Sequence, residues 1–244
     1  MTEQGDWNNN LAGGLHALGV AGADVKAELM LAYMRLVLER NEVVNLTAIK
    51  GEGEFVAKHL IDSVSCFGLP EIEAAQSVVD VGAGAGFPGV PLAICYPDKD
   101  FLLIDSLGKR VDFMREACGA LGIENVRVMH SRAEDAGHDP ALRENFGLAV
   151  SRAVAHLSVL CEYCLPLVKT GGAFYAYKTE NGLGEVGESK RARKLLGAAA
   201  NPEIHNTSGA GAQNSGHIII AIGKERKTPA AYPRKAGTPA KQPL

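Results

Sequence analysis

Two periodicities divide the chain. Up to about residue 75, apolar side chains recur at three- and four-residue intervals. Leu29, Met30, Tyr33, Leu36 and Val37 form one stripe and predict a helix. A second short helix is predicted over 57–67, with Leu60, Ile61, Val64 and Phe67 turned inward. The connector 41–47 between them mixes polar and apolar residues. From about residue 76, short apolar runs alternate with helical stretches. Strands are predicted over 77–83, 101–106, 126–131, 148–153, 172–178, 203–207 and 217–224. Helices are predicted over 88–96, 109–121, 156–168 and 185–200. This alternation implies an α/β fold of the doubly wound, Rossmann-like kind, with a seven-stranded, mostly parallel sheet and helices on both faces. No helix separates the last two strands, so they should pair antiparallel, with Gly209, Gly211 and Gly216 marking the loop between them. Pro229, Pro233, Pro239 and Pro243 then predict an extended tail. The organisation read this way is an N-terminal helical extension (1–75), a central domain (76–224) and a C-terminal tail (225–244).

Composition changes this picture little. The 244 residues are 46% hydrophobic and 22% charged, as expected of one ordinary globular unit with a modest extension. No apolar run approaches the roughly 20 residues a bilayer span needs. The polar start, 1–10, lacks the pattern of a signal peptide, so the expected location is cytoplasmic. The five cysteines, Cys66, Cys95, Cys118, Cys161 and Cys164, are odd in number and mostly set in apolar runs, which predicts reduced thiols. Cys161 and Cys164 are spaced C-x-x-C but have no second ligand pair, and no metal site is expected. Charge is uneven. Lys224, Arg226, Lys227, Arg234, Lys235 and Lys241 against Glu225 give 224–244 a net +5, which leaves −8 for the rest of a chain whose total is −3. A basic tail on an acidic body suits a polyanionic partner or, more blandly, a solvated terminus.

The densest chemistry follows the first predicted strand: Val78-Val79-Asp80-Val81-Gly82-Ala83-Gly84-Ala85-Gly86-Phe87-Pro88-Gly89. Ligands of open α/β sheets bind beyond the carboxyl ends of the strands, and glycine there permits positive φ and close approach of a ligand to the backbone. Two frames compete. Gly82-x-Gly84-x-Gly86 is the form used to bind S-adenosylmethionine (SAM), and seven strands with an antiparallel ending match the SAM-dependent methyltransferase variant of the fold. Gly84-x-Gly86-x-x-Gly89 also fits a dinucleotide fingerprint. Pro88 lacks an N–H that a pyrophosphate would use, and the dinucleotide frame begins two residues late, so SAM is favoured.

Asp105 ends the second strand, where a carboxylate can accept both hydroxyls of an adenosyl ribose or cap the next helix. Ala133 and Glu134 follow the third strand, in position to read an adenine edge. Arg152 ends the fourth strand, an unusual place for an arginine without a partner, beside the expected methyl donor. His59 and Asp62, three apart on one helix, read as a buried hydrogen-bonded pair more readily than as catalysts.

Together these residues resemble the bacterial small-subunit rRNA guanine-N7 methyltransferases, also called the glucose-inhibited division protein B family. The resemblance covers about 28–244. It is carried by the stretch from Asp80 to Ala93, by Asp105-Ser106-Leu107-Gly108-Lys109-Arg110, by Asn45-Leu46-Thr47, by His59-Leu60-Ile61-Asp62-Ser63, by Ser131-Arg132-Ala133-Glu134, by Ser151-Arg152-Ala153, and by 232–239. It implies SAM contacts at Gly82, Phe87, Ala133, Glu134 and Arg152, with Asp105 near the ribose; Gly84 is a further cofactor-binding candidate from the glycine motif itself. It also implies a target guanine in a hairpin of 16S rRNA near the decoding centre, presented as rRNA or as a small-subunit ribosomal particle. The family often has Trp at the position of Arg40 and Gly at that of Thr179. Guanine N7 carries an in-plane lone pair and no proton, so no general base is required and catalysis reduces to positioning, with Arg152 the nearest candidate. Lys178, Arg226, Arg234, Lys235 and the basic stretch 190–194 are the candidates to face RNA phosphates. A monomer is expected. The alternatives are a methyltransferase of small molecules and a non-catalytic nucleotide- or RNA-binding module.

Overall fold

A computed structural model describes residues 3–152, 155–207 and 216–244. Ala153, Gly209 and Gly211, named above, lie outside the described residues. Two helices open the chain, α1 (Glu3–Ala17) and α2 (Ala23–Asn41). On α2, Ala23, Ala27, Met30, Met34 and Val37 recur at three- and four-residue steps and are all buried, which presses one stripe against α1 and the helices that cover this face of the sheet. The helix predicted over 57–67 begins earlier, as α3 (Glu52–Phe55), and continues as a π-helical stretch, Val56–Ile61. Next comes α4 (Pro70–Ala74), with proline in its first turn.

The central sheet is built from β1 (Ser77–Val81), β2 (Asp100–Asp105), β3 (Val126–His130), β4 (Phe146–Arg152), β5 (Val168–Thr179), β6 (Glu203–Asn206) and β7 (His217–Gly223). Their order is β3-β2-β1-β4-β5-β7-β6. The first five are parallel, and β7 runs antiparallel between β5 and β6. Because strand side chains alternate, each strand feeds two cores. Val78, Leu103, Val150 and Tyr175 join α1 and α2 on one face. Val79, Leu102, Ala149 and Phe174 join α8 (Leu157–Cys164) on the other. Helices α5 (Gly89–Cys95), α6 (Gly108–Ala120) and α7 (Ala133–Ala136) connect the early strands. The sheet thus has the expected architecture. β1 lies between β2 and β4, so the topological switch point falls at its carboxyl end.

The structure departs from the pattern in two places. The helix predicted over 185–200 breaks into α9 (Gly184–Glu188) and α10 (Lys190–Leu195). At the break the buried Ser189 turns its hydroxyl back to the Val186 carbonyl, 3.1 Å away, and Arg193 of the basic stretch is buried with its guanidinium on the carbonyls of Val186, Ala199 and Ala200. The prolines of the tail predict extended chain, yet 225–244 fold back along the domain and close with a short helix, α11 (Thr238–Lys241).

Helix α2 is fastened to the glycine loop through Tyr33. Tyr33, fully buried on α2, donates its hydroxyl to the Ala85 carbonyl at 2.8 Å and meets Phe87 edge-on at 5.9 Å between centroids. Gly86 has φ +88°, and a Cβ there would overlap the Tyr33 hydroxyl and come within 2.7 Å of Val90. Gly86→Ala should therefore lower stability by about 2–4 kcal/mol through strain and overpacking together. Denaturant titration checks this; a loss under about 0.5 kcal/mol would mean that the loop is not packed as described.

Candidate cofactor and substrate site

A cavity of about 790 Å³ opens at the carboxyl ends of β1, β2 and β4. Its first wall is the glycine loop. After β1, Gly82 and Gly84 adopt φ of +75° and +61°, and Gly84 faces open space apart from the Gly82 carbonyl at 4.0 Å. The loop is folded by the neighbouring strand: the N–H groups of Gly82 and Ala83 both bond the Ile104 carbonyl. Asp105, at the end of β2, completes the wall. One of its oxygens accepts the Gly84 N–H at 2.9 Å and the other the Leu107 N–H at 2.8 Å, and Arg110 stands 3.8 Å away.

The start of α5 is not a vacant anion site. Pro88 has no N–H, and the Gly89 N–H already bonds the carboxylate of Asp80 at 2.8 Å. Asp80 is fully buried and its other oxygen has no hydrogen-bond partner among the described residues. Burial raises its pKa to about 7, against the opposing pull of the Gly89 N–H and Arg152.

The second wall is ionic. The side chain of Asn41, at the end of α2, takes the N–H groups of Leu46 and Thr47 and donates to the Thr47 carbonyl, which sets the connector. Thr47 thereby reaches His59 Nε2 at 2.7 Å. From β4, Arg152 donates to His59 Nδ1 at 2.9 Å, to Asp62 at 3.0 Å and to the Lys58 carbonyl at 3.1 Å. His217, at the start of β7, takes the second oxygen of Asp62 at 2.6 Å. Burial and the Arg152 charge push the His59 pKa down to about 4, so the ring is neutral, with Nε2 protonated toward Thr47. Asp62 pushes His217 upward. Phe87 joins the two walls: His59 stacks on it at 4.9 Å and 5°, and the guanidinium of Arg152 lies 5.3 Å from its centroid.

Of the residues the sequence singles out, Gly82, Gly84, Phe87, Asp105, Arg152 and Lys178 line this cavity, with His59 and Asp62. Lys178 is tied to Glu185 and to the Ala155 carbonyl. Ala133 and Glu134 do not line it; Glu134 is buried and accepts the Gly237 N–H. The tail cations are elsewhere. Since β7 is antiparallel, Arg226 emerges where the parallel strands begin, at the far end from the cavity. Arg234 pairs with Glu162, and Lys235 is exposed. Arg40 pairs with Glu116 and lies over the Phe113 ring at 5.9 Å, while Thr179 sits at φ −90°, a conformation that needs no glycine. Sequence reasoning missed Thr47 as the partner of His59, and His217. Only the sheet order brings His217 to Asp62.

The chain matches the family model described as rRNA small subunit methyltransferase G over residues 26–210. It is 42% identical to the ribosomal RNA small subunit methyltransferase G of Clostridium perfringens, covering 93% of this chain and 95% of that one. The Brevibacillus brevis protein of the same name is 44% identical, covering 94% and 96%. The chain belongs to the small-subunit rRNA methyltransferase G family. Among solved structures, an O-methyltransferase from Bacillus cereus in complex with SAH shares the fold at a TM-score of 0.56 and 17% identity, covering 80% of this chain and 91% of that one. Cofactor-bound Rv0187 from MTB does so at 0.56 and 15%, covering 82% and 91%.

In this member of the family, Asp80 makes stability depend on pH. Its carboxyl ionises in the unfolded chain near pH 4 but in the fold only near 7, so the protein loses stability as pH rises between those values and no more above them. Asp80→Asn escapes that loss. The melting temperature of the variant relative to the parent should climb from pH 4 to pH 7 and then level off. A pH-independent difference would show that Asp80 is charged in the fold throughout.

Proposed function

We propose that this protein transfers a methyl group from S-adenosylmethionine to N7 of a guanine in a hairpin loop of 16S rRNA near the decoding centre. Family membership supports rRNA methylation. One observation favours a nucleophile that carries its own lone pair. Among the described residues, five carboxylates and imidazoles line the cavity, and each already holds a protein partner: His59 has Arg152 and Thr47, Asp62 has Arg152 and His217, Asp105 has Gly84 and Leu107, Glu185 has Lys178, and His217 has Asp62; Lys58, Tyr177 and Lys178 of the lining are likewise paired, with Glu54, the Ser63 carbonyl and Glu185. Guanine N7 has no proton to remove, so a site without an uncommitted base suits it.

The residues fit the cofactor. The loop at Gly82 and Gly84 carries no side chains, Asp105 stands at the end of β2, and the committed N–H of Gly89 disfavours a pyrophosphate. When bound, S-adenosylmethionine supplies a methyl group on a positively charged sulfur. Gly82, Gly84 and Phe87 would hold its amino-acid end, Asp105 the ribose hydroxyls, and the Ala133–Glu134 segment the adenine. Arg152, clamped by His59 and Asp62, would orient the guanine. The neutral state of His59 spares the wall facing the electrophile a further positive charge. Lys178 would meet the RNA at the cavity rim, and the exposed Lys235 would meet it from the tail; Arg226 and Arg234 are weaker candidates, given where they lie. The protein would act as a monomer in the cytoplasm on rRNA or a small-subunit particle.

The test is methylation of small-subunit rRNA and of the assembled particle by the purified protein, with mapping of the modified base. N7-methylguanosine at a single position is expected. Arg152→Ala should lower kcat about 100-fold by loss of positioning, while Asp105→Ala should act mainly through the KM for the cofactor. A methyl group on an exocyclic amine or a ribose, or turnover of a small molecule with RNA absent, would refute the reading.

A further inference from the structure

The C-terminal segment is tied down along its whole length. Lys224, buried where β7 ends, donates to the Leu165 carbonyl at 2.5 Å and to the Thr228 hydroxyl at 2.6 Å. The guanidinium of Arg143 gathers the carbonyls of Thr228 and Tyr232, each at 2.8 Å, with that of Gly137 at 2.7 Å. His138 Nε2 lies 2.6 Å from the Pro233 carbonyl, and a Cβ on Gly137 would come within 2.8 Å of the Pro233 ring. Glu162 is fully buried and receives three donors from one residue: the Arg234 N–H at 2.7 Å, Nε at 2.9 Å and Nη2 at 2.6 Å. A carboxylate so buried is costly without its partner, so Arg234 anchors the tail.

The last tie connects to the cavity wall through a neighbouring segment. The Gly237 N–H donates to Glu134 Oε1 at 2.8 Å, and Glu134 is only 4% exposed. Glu134 lies in the first turn of α7, and the short link from β3 into that helix bonds the Asp105 carbonyl through the Ser131 N–H at 3.1 Å. The carboxylate of Asp105 in turn holds the Gly84 N–H on the glycine loop. An unbroken chain of hydrogen bonds and covalent links therefore runs from the tail through residues 131–134 to the loop.

We propose that residues 225–244 are a strap that sets the adenine-side wall of the cofactor site, with Glu134 as the positioning residue through which it acts. The proposal rests on the cavity holding S-adenosylmethionine. Part of the basic charge near the C-terminus then serves the fold: Lys224 and Arg234 are bound inside the protein, and the segment beyond Lys235 works on cofactor affinity.

The experiment compares Glu134→Ala, Glu134→Gln, a chain ending at Lys235 (which keeps the Arg234–Glu162 pair) and the combination of Glu134→Ala with that truncation. Three quantities are read well below the melting temperature: S-adenosylmethionine affinity by calorimetry, amide exchange at 131–137 in the ligand-free protein, and 16S rRNA affinity by filter binding. Glu134→Ala and the truncation should each weaken cofactor binding about five- to twenty-fold, the range expected for one lost charge-assisted hydrogen bond. Both should speed exchange at 131–134 and leave RNA affinity within about twofold. Glu134→Gln keeps an oxygen for the Gly237 N–H and should restore cofactor affinity. The combined variant should be no worse than either alone, because both break the same tie. Losses that multiply, a Gln variant as weak as Ala, or a truncation that weakens RNA binding while sparing the cofactor would each overturn the proposal. If Glu134→Ala does not fold, unchanged cofactor affinity and exchange in the truncated chain alone would overturn it. Failure of the parent protein to bind S-adenosylmethionine would instead strike the cofactor reading itself.

Discussion

The site depends on one constraint: the loop from Gly82 to Gly89 must be held in a conformation that few residue types can adopt. Positive φ at Gly82, Gly84 and Gly86 leaves this backbone with little preference of its own. Its shape is imposed from three sides. The strand β2 takes the N–H groups of Gly82 and Ala83, Tyr33 takes the Ala85 carbonyl from behind, and Asp80 takes the Gly89 N–H from below. Tyr33, Asp80 and the Asp105 carboxylate that takes the Gly84 N–H at the end of β2 are buried polar side chains, and a buried donor or acceptor is expensive to leave unpaired. Each contact therefore penalises alternative loop shapes, in addition to whatever it contributes to stability.

The glycines of the motif have different causes. Gly84 is open to the cavity, and the reason for glycine there is φ together with room for a ligand. Gly86 points away from the cavity into Tyr33 and Val90, so a helix of the N-terminal extension forbids a side chain there. A motif read as one functional unit is half binding surface and half packing.

Much of this was legible in the chain. The seven strands, the antiparallel ending and the switch point follow from local apolar periodicity, which is a property of neighbouring residues. Asp105 and Arg152 were legible because polar groups at the ends of apolar strands need a reason. His217 was not legible. It stands at the start of a strand with nothing unusual beside it, and reaches Asp62 only because β7 is inserted next to β5. The tail misled for a similar reason. Four prolines do exclude long regular structure, but they do not stop a chain from being held by side chains such as Arg143 and Glu162, which lie far away in sequence. Basic residues in a flexible terminus and in a docked one look the same until the partner carboxylate is located.

The π-helical stretch Val56–Ile61 carries a consequence for how this wall can vary. An α-helix advances about 100° per residue, so a wider turn is equivalent to one extra residue wound into the helix. The wide turn absorbs that residue, so the chain on either side keeps nearly the phase of an uninterrupted helix. Deleting one residue of the stretch would rewind it to ordinary pitch and leave the flanking turns almost in register, whereas the side chains inside the stretch would shift around the axis. His59 lies inside the stretch and Asp62 just beyond it, so such a deletion would alter the angle between them and with it their joint grip on Arg152. The wide turn is thus a local adjustment that aims His59 without disturbing the helix around it.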